Sequence, residues 1–241
     1  IRALGDKLPE VSAWYGKTPS EFKNIMRQDR SAWLDNSGRL LFIEPSPEQI
    51  PAEEQSPALE SAPFPYDQTF QLHSRLGSSR VIYLDFNGYY TTDRAWNNSY
   101  GDPIDATAFD LDGDPTSFNN DEKDKIQQIW QYIAEDYAPF DVDITTEDPG
   151  QAAITRSSLS DENYGTRVVI TSNFTTPSCQ CGGFAYVGVY DYIDGNRSSD
   201  YYKPAFVFYD MLGSNAKLIA EASSHEAGHN LGLSHDGTSS G

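Results

Sequence analysis

His225-Glu226-Ala227-Gly228-His229-Asn230-Leu231-Gly232-Leu233-Ser234-His235-Asp236 is the stretch on which the reading of this chain turns. His225 and His229 are four residues apart, so on a helix they project from one face and can reach one metal ion. Glu226 stands beside them, free to hold a water rather than the metal. Gly232 ends the helix in a left-handed conformation that a side chain would resist. The chain then doubles back and brings in His235. Three neutral imidazoles fill three of zinc's four positions and leave one open, which is the arrangement of a catalytic rather than a closed structural site. The competing reading, a solvated polar helix end, needs all these residue types at this spacing by chance. Of the four histidines in the chain, His73 alone lies outside this segment, and it reads as structural.

Histidine, glutamate, glycine and third histidine together resemble the metzincin signature of zinc metallopeptidases. His229-Asn230-Leu231-Gly232 followed by His235-Asp236 is similar to its adamalysin (reprolysin) form. A second stretch, Gly183-Phe184-Ala185-Tyr186-Val187-Gly188-Val189-Tyr190, is similar to the substrate-lining edge strand of that family. The resemblance covers about residues 79–241 and extends to secreted bacterial members of the clan.

That resemblance implies an α/β (α+β) fold: a mixed twisted sheet, a long helix and a zinc-bearing helix. It implies a zinc-dependent endopeptidase acting on protein or peptide substrates, with His225, His229 and His235 as ligands and Glu226 as general base. Asp236 becomes a carboxylate that anchors the turn, its alternative being a solvated charge. Gly183, Phe184, Ala185, Tyr186 and Val187 become a rail whose free backbone groups pair with an extended peptide; the alternative is a plain hairpin strand. The family also carries a methionine turn downstream of the third histidine. Here the sequence ends at Gly241, and Met26 and Met211 both precede the motif, so that part is expected to be absent from residues 67–241, the candidate catalytic domain.

Composition narrows the alternatives. Seventeen basic against 36 acidic residues give a net charge of −19, which disfavours nucleic acid and anionic membranes as partners. No stretch reaches the ~18 apolar residues of a membrane span. The chain begins at Ile1 without an initiator Met, as removal of a secretory leader or a shortened sequence would each leave it, and a secreted location is expected. Cys179 and Cys181 are one residue apart. In an oxidising compartment a small-ring disulfide is preferred over free thiols or pairing with a further C-terminal segment. Asp110-Leu111-Asp112-Gly113-Asp114 offers carboxylates at alternate positions, as either the first half of a calcium loop or an acidic solvated turn.

Residues 1–44 read as a small α+β unit of their own. Thr18-Pro19-Ser20-Glu21 is a helix start with N-cap, proline and capping-box glutamate. The helix is expected to reach about Arg30, followed by a β-hairpin over Ala32-Trp33-Leu34 and Leu40-Leu41-Phe42-Ile43. Residues 45–66 hold six prolines and several glutamates and read as a linker. Beyond it, Val81–Phe86, Phe140–Thr146, Arg167–Ser172, Ala185–Tyr190 and Ala205–Tyr209 read as strands, and residues 91–120 as polar loop. Ile126, Ile129, Trp130, Ile133, Ala134 and Tyr137 fall on one face of a helix over residues 120–137. Residues 215–231 form the histidine-bearing helix.

The arrangement suits an intramolecular pro-segment, either lying over the cleft or contacting the metal. No cysteine precedes Cys179, so direct contact requires a carboxylate, with Asp6, Asp29 and Asp35 as candidates. An accessory domain is the alternative. A non-catalytic binding protein on the same scaffold is the competing functional class; an intact Glu226 beside three histidines argues against it.

Overall fold

The computed structural model describes residues 2–47, 62–193, 195 and 197–235. A seven-stranded sheet organises it, in the order β1-β2-β8-β9-β7-β3-β6. Its members are β1 (Ala32–Leu34), β2 (Leu40–Pro45), β3 (Arg80–Asp85), β6 (Asp143–Thr145), β7 (Tyr164–Thr171), β8 (Cys181–Tyr186) and β9 (Ala205–Phe208). Strands β9, β7, β3 and β6 run parallel to one another. Strands β1, β2 and β8 add antiparallel at one side. This mixed α/β architecture is the one expected.

Both faces of the sheet are buried, and its side chains alternate between two cores. Ile82, Leu84, Val168, Ile170, Ala205 and Val207 face two helices, α4 (Asn120–Asp136) and α6 (Ala216–Asn230). Helix α4 presents Ile126, Ile129 and Ile133 fully buried, as its 3.6-residue spacing demands. Asn119 and Glu122 close its start in a reciprocal capping box. On the opposite face Phe184, Phe206, Phe208 and Tyr186 pack with Trp96 in an aromatic cluster. The Trp96 indole N–H donates to Pro204 O at 2.8 Å, so this large ring is buried without an orphaned donor.

Residues 91–120 are more ordered than their polar composition suggests. They contribute to a two-stranded sheet of β4 (Tyr89–Thr91) and β5 (Ile104–Ala106), and to the single turn α3 (Asn97–Tyr100). Alternate burial of Ile104 and Ala106 is the two-residue signal that a three-residue strand shows too briefly to read. A further short turn, α5 (Gln151–Ile154), leads into β7.

The N-terminal elements are α1 (Leu8–Trp14), α2 (Pro19–Gln28) and the β1–β2 hairpin. Helix α2 begins in the capping box expected at Thr18 and Glu21. The elements share a small core of Leu8, Val11, Phe22, Leu40 and Phe42, to which Val187 contributes. They do not stand apart, because β2 pairs with β8 from Leu41↔Tyr186 to Glu44↔Gly183. Of the expected linker, residues 48–61 lie outside the described residues. Residues 62–64 follow α4: Ala62 N–H donates to Asp124, and Phe64 N–H to Gln127 Oε1 at 2.9 Å.

Candidate metal centre

Helix α6 delivers the first two histidines. Asn215 caps its start by accepting from Lys217 and Leu218 N–H. Its end is a Schellman motif: Leu233 N–H returns to Gly228 O at 3.0 Å, and Gly232 N–H to His229 O at 2.9 Å. Gly232 takes φ +100°, the left-handed turn anticipated from the sequence. Past it the chain folds back and carries His235 over the helix. The helix end is pinned to the sheet by Asn230, which accepts from Thr166 Oγ1 and donates to Tyr186 O at 3.0 Å.

The three imidazoles converge through Nε2. His225 Nε2 lies 2.9 Å from His229 Nε2 and 3.0 Å from His235 Nε2. His229 donates Nδ1–H to Leu233 O at 2.9 Å, and His235 Nδ1 meets Asp29 Oδ2 at 2.6 Å. These outer bonds turn the Nε2 lone pairs of His229 and His235 inward. Bare nitrogen lone pairs facing one another repel unless a cation lies among them. Neighbouring ligand atoms on a tetrahedral zinc are about 3.3–3.4 Å apart, so the donor set fits that ion with little movement.

Glu226 is buried beside β8, and its Oε2 has no hydrogen-bond partner. Burial, and then the Glu44 charge, push its carboxyl well above the ordinary range. Gly183 makes room for it: a Cβ there would stand 2.7 Å from Glu226 Oε1 and 2.8 Å from Phe206 O. Gly183 thus has a packing reason beside its position on β8.

The substrate strand departs from expectation in two ways. It runs Cys181–Tyr186, and Val187 lies beyond it, donating its N–H to Leu40 O. Gly188, Val189 and Tyr190 leave the ladder because their N–H groups bond to His229 O and Asn230 O at the end of α6. The edge of β8 is also not free, since β2 occupies it.

That strand brings a residue the sequence reading missed. Leu40, Phe42 and Glu44 share one face of β2. Phe42 stacks on His229 and meets His235 at a tilt of 45°, with both centroid distances 4.4 Å. Glu44 Oε1 is buried, without a hydrogen bond, at 3.2 Å from His235 Nε2 and 3.8 Å from Nε2 of both His225 and His229. Burial works to raise the Glu44 carboxyl, but the three facing imidazoles outweigh it and hold it far below the usual range. Without a cation in the pocket His235 is raised to about 9, first by Glu44, with burial opposing and Asp29 adding, and a bound metal takes the place of that proton on Nε2. A pocket this electronegative attracts a cation. The available signal was the alternation itself: a carboxylate ends the apolar face of Leu40 and Phe42. Of the three aspartates named from the sequence, Asp29 reaches His235. Asp35 instead accepts from Ser37 and Arg39 N–H in the hairpin turn.

A model of the reprolysin-like family M12B of metallo-peptidases matches residues 117–236. The chain belongs to the reprolysin-like metallopeptidases. The family implies a zinc metallopeptidase acting on proteins or peptides. No curated protein and no solved structure matches the chain.

Other expected positions fall as follows. Asp236 lies outside the described residues. Cys179 and Cys181 are joined in a disulfide. Asp110 and Asp112 approach Glu122, but Asp114 is turned away and its carboxylate accepts from Thr116 and Ser117. Asp110 Oδ1 accepts from Asp112 and Gly113 N–H, and both Glu122 oxygens accept backbone N–H groups. Ordinary turn and capping bonds account for this cluster, and nothing there supports calcium. His73 is structural, clamped between Asp143 at 2.6 Å and Glu147 at 2.8 Å. No helix among the described residues is long and apolar enough to cross a membrane.

Proposed function

We propose that this chain is a secreted zinc endopeptidase, held latent by residues 1–44. His225, His229 and His235 hold the metal, and Glu226 is the general base. The observation that carries this reading is the inward convergence of the Nε2 atoms beside an orphaned, buried Glu226 oxygen. Zinc, when bound there, would activate water and polarise the scissile carbonyl. Glu226 accepts the proton of the attacking water and delivers it to the leaving amine nitrogen, so the peptide bond breaks with no net proton change. Strand β8 aligns an extended peptide through its backbone groups.

An open pocket of about 890 Å³ borders the three histidines, with Tyr137, Phe140, Val142, Tyr190, Leu231 and Leu233 in its wall. Such a lining favours a large apolar side chain next to the cleaved bond. The disulfide supports an oxidising, extracellular location. Latency is supported by β2, which uses the β8 groups a substrate would need. The test is hydrolysis of casein and of a short quenched peptide by zinc-loaded protein cut within residues 48–61, with Glu226→Ala as control. The reading requires hydrolysis that the control loses and that a chelator abolishes. Hydrolysis by the control at the parent rate would remove Glu226 from its role.

A further inference from the structure

Glu44 reaches all three imidazoles and Asp29 reaches one of them, His235, both from N-terminal elements far from α6 in sequence. Glu44 Oε1 faces the Nε2 atoms from the side that the rings leave open, at 3.2–3.8 Å. Among the described residues it is a buried side-chain oxygen without a hydrogen bond, as Glu226 Oε2 is. A buried carboxylate oxygen with no donor is expensive unless a cation faces it. Asp29 meets His235 from behind, at Nδ1, and is itself positioned by Ser31, whose N–H and Oγ both donate to Asp29 Oδ1.

Packing fixes both groups. Two residues before Glu44, Phe42 stacks on His229 and packs at a tilt against His235. Pairing of Glu44 with Gly183 sets its place along β8, and the register shifts immediately afterwards at Pro45. Pro45 has no N–H to continue the ladder, so the strand ends one residue beyond the carboxylate. The main chain and the side chain of β2 are therefore both spent at the point where the cleft meets the metal site.

From this geometry, and building on the peptidase reading above, we propose that the N-terminal segment completes the metal site of the uncut chain: Glu44 is the fourth zinc ligand, and Asp29 holds the third histidine in place. The segment then retains the metal in addition to covering β8. A peptide cannot reach β8 while β2 is paired there, and water cannot take the fourth position while Glu44 occupies it. Removing the segment frees the rail and the fourth position together, and it loosens His235 at the same stroke. The cut protein is left with three nitrogen ligands, one of which has lost its carboxylate partner.

The consequence is read in metal exchange, separately from activity. Full-length zinc-loaded protein is mixed with a chromophoric chelator and the rate of zinc transfer is followed. Loss of an outer carboxylate typically weakens zinc binding by about 10–100-fold. Asp29→Asn is expected to release zinc about 10-fold faster than the parent, and Glu44→Gln at least as fast again. Protein cut within residues 48–61 and freed of the segment is expected to match or exceed the Glu44→Gln rate. Amide exchange of β2 shows whether each variant still carries the strand on β8. If Glu44→Gln detaches it, Glu44→Asp keeps the charge but withdraws the oxygen by one methylene, and faster release is expected there too. Release at the parent rate from Glu44→Gln or Glu44→Asp, with β2 still protected, overturns the proposal while leaving the peptidase reading intact. Failure of the parent to bind one zinc at the three histidines would sink both.

Discussion

The two halves of the large sheet are built on different terms. In β9-β7-β3-β6 every strand is parallel, and successive strands are connected through helices or long excursions that bury both faces. In β1-β2-β8 the strands are antiparallel, and β2 meets β8 across about 140 residues of chain. The parallel half cannot lose a strand without opening the helix-covered core. On the antiparallel side β1 and β2 carry much of their own small core, Val11, Phe22, Leu40 and Phe42, while Val187 and Leu41 tie it to the rest. The difference is that one half is closed by its helices and the other by a hairpin brought in from the chain's N-terminal elements. Here the scaffold positions α6 and its histidines, and β2 occupies the edge of β8 that the proposed function assigns to a peptide.

The strongest test of the scaffold half lies on α6. Glu226→Gln is expected to lower peptide hydrolysis by about 10²–10⁴-fold, the usual contribution of a general acid–base group. Zinc content, measured by atomic absorption, should stay at the parent level. Loss of stoichiometric zinc in this variant would make Glu226 a ligand and dissolve the division of labour between base and histidines.

A substitution in each half sharpens the contrast next. Ile170 on β7 is fully buried in the core shared by the sheet, α4 and α6, and Ile170→Ala should cost about 2–5 kcal/mol in urea unfolding, lowering the stability of the whole molecule. Phe22→Ala removes the fully buried centre of the N-terminal core. Its effect should appear as faster amide exchange confined to α1, α2, β1 and β2, while β7 and β9 keep their protection. Equal loss of protection in both halves would show one cooperative unit instead of a scaffold with a removable strand.

The smallest effect is expected at the far edge, where His73 is clamped by Asp143 and Glu147 beside β6. Burial opposes the charged ring, but the two carboxylates outweigh it and raise its pKa above the ordinary value. A raised folded pKa adds stability that is complete below the unfolded value of ~6.5 and fades as pH rises through the folded value. His73→Gln should therefore destabilise by about 1 kcal/mol at pH 5.5–6, and by less at pH 9. A deficit that grows with pH would reverse the assignment of charge.

Much of this architecture was legible because it is locally encoded. The capping boxes at Thr18 and Asn119, the apolar stripe of α4 and the glycine turn after α6 each depend on residues within a few positions of one another. The histidine spacing belongs to the same class. The pairing of β2 with β8 does not, because no local pattern specifies which distant edge a hairpin joins. Glu44 was missed for that reason: it stands at the boundary of a proline- and glutamate-rich stretch, where one more acid reads as composition. Only its place in the alternation of Leu40 and Phe42 distinguishes it. The short strands β4 and β5 were hidden by brevity, and the early end of β8 by the bonds that Gly188 to Tyr190 make to α6.

The account rests most heavily on β2 and a peptide substrate competing for β8. A tethered strand competes at an effective concentration of the order of mM, so a short peptide at ~0.1 mM should be turned over at least about 10-fold more slowly by the uncut chain. The direct measurement is the initial rate on one short quenched peptide, for zinc-loaded protein before and after cleavage within residues 48–61 and removal of the released segment. The account predicts a rise of that size or more on removal, reversed when the segment is added back. Equal rates before and after removal, at equal zinc content, would contradict it.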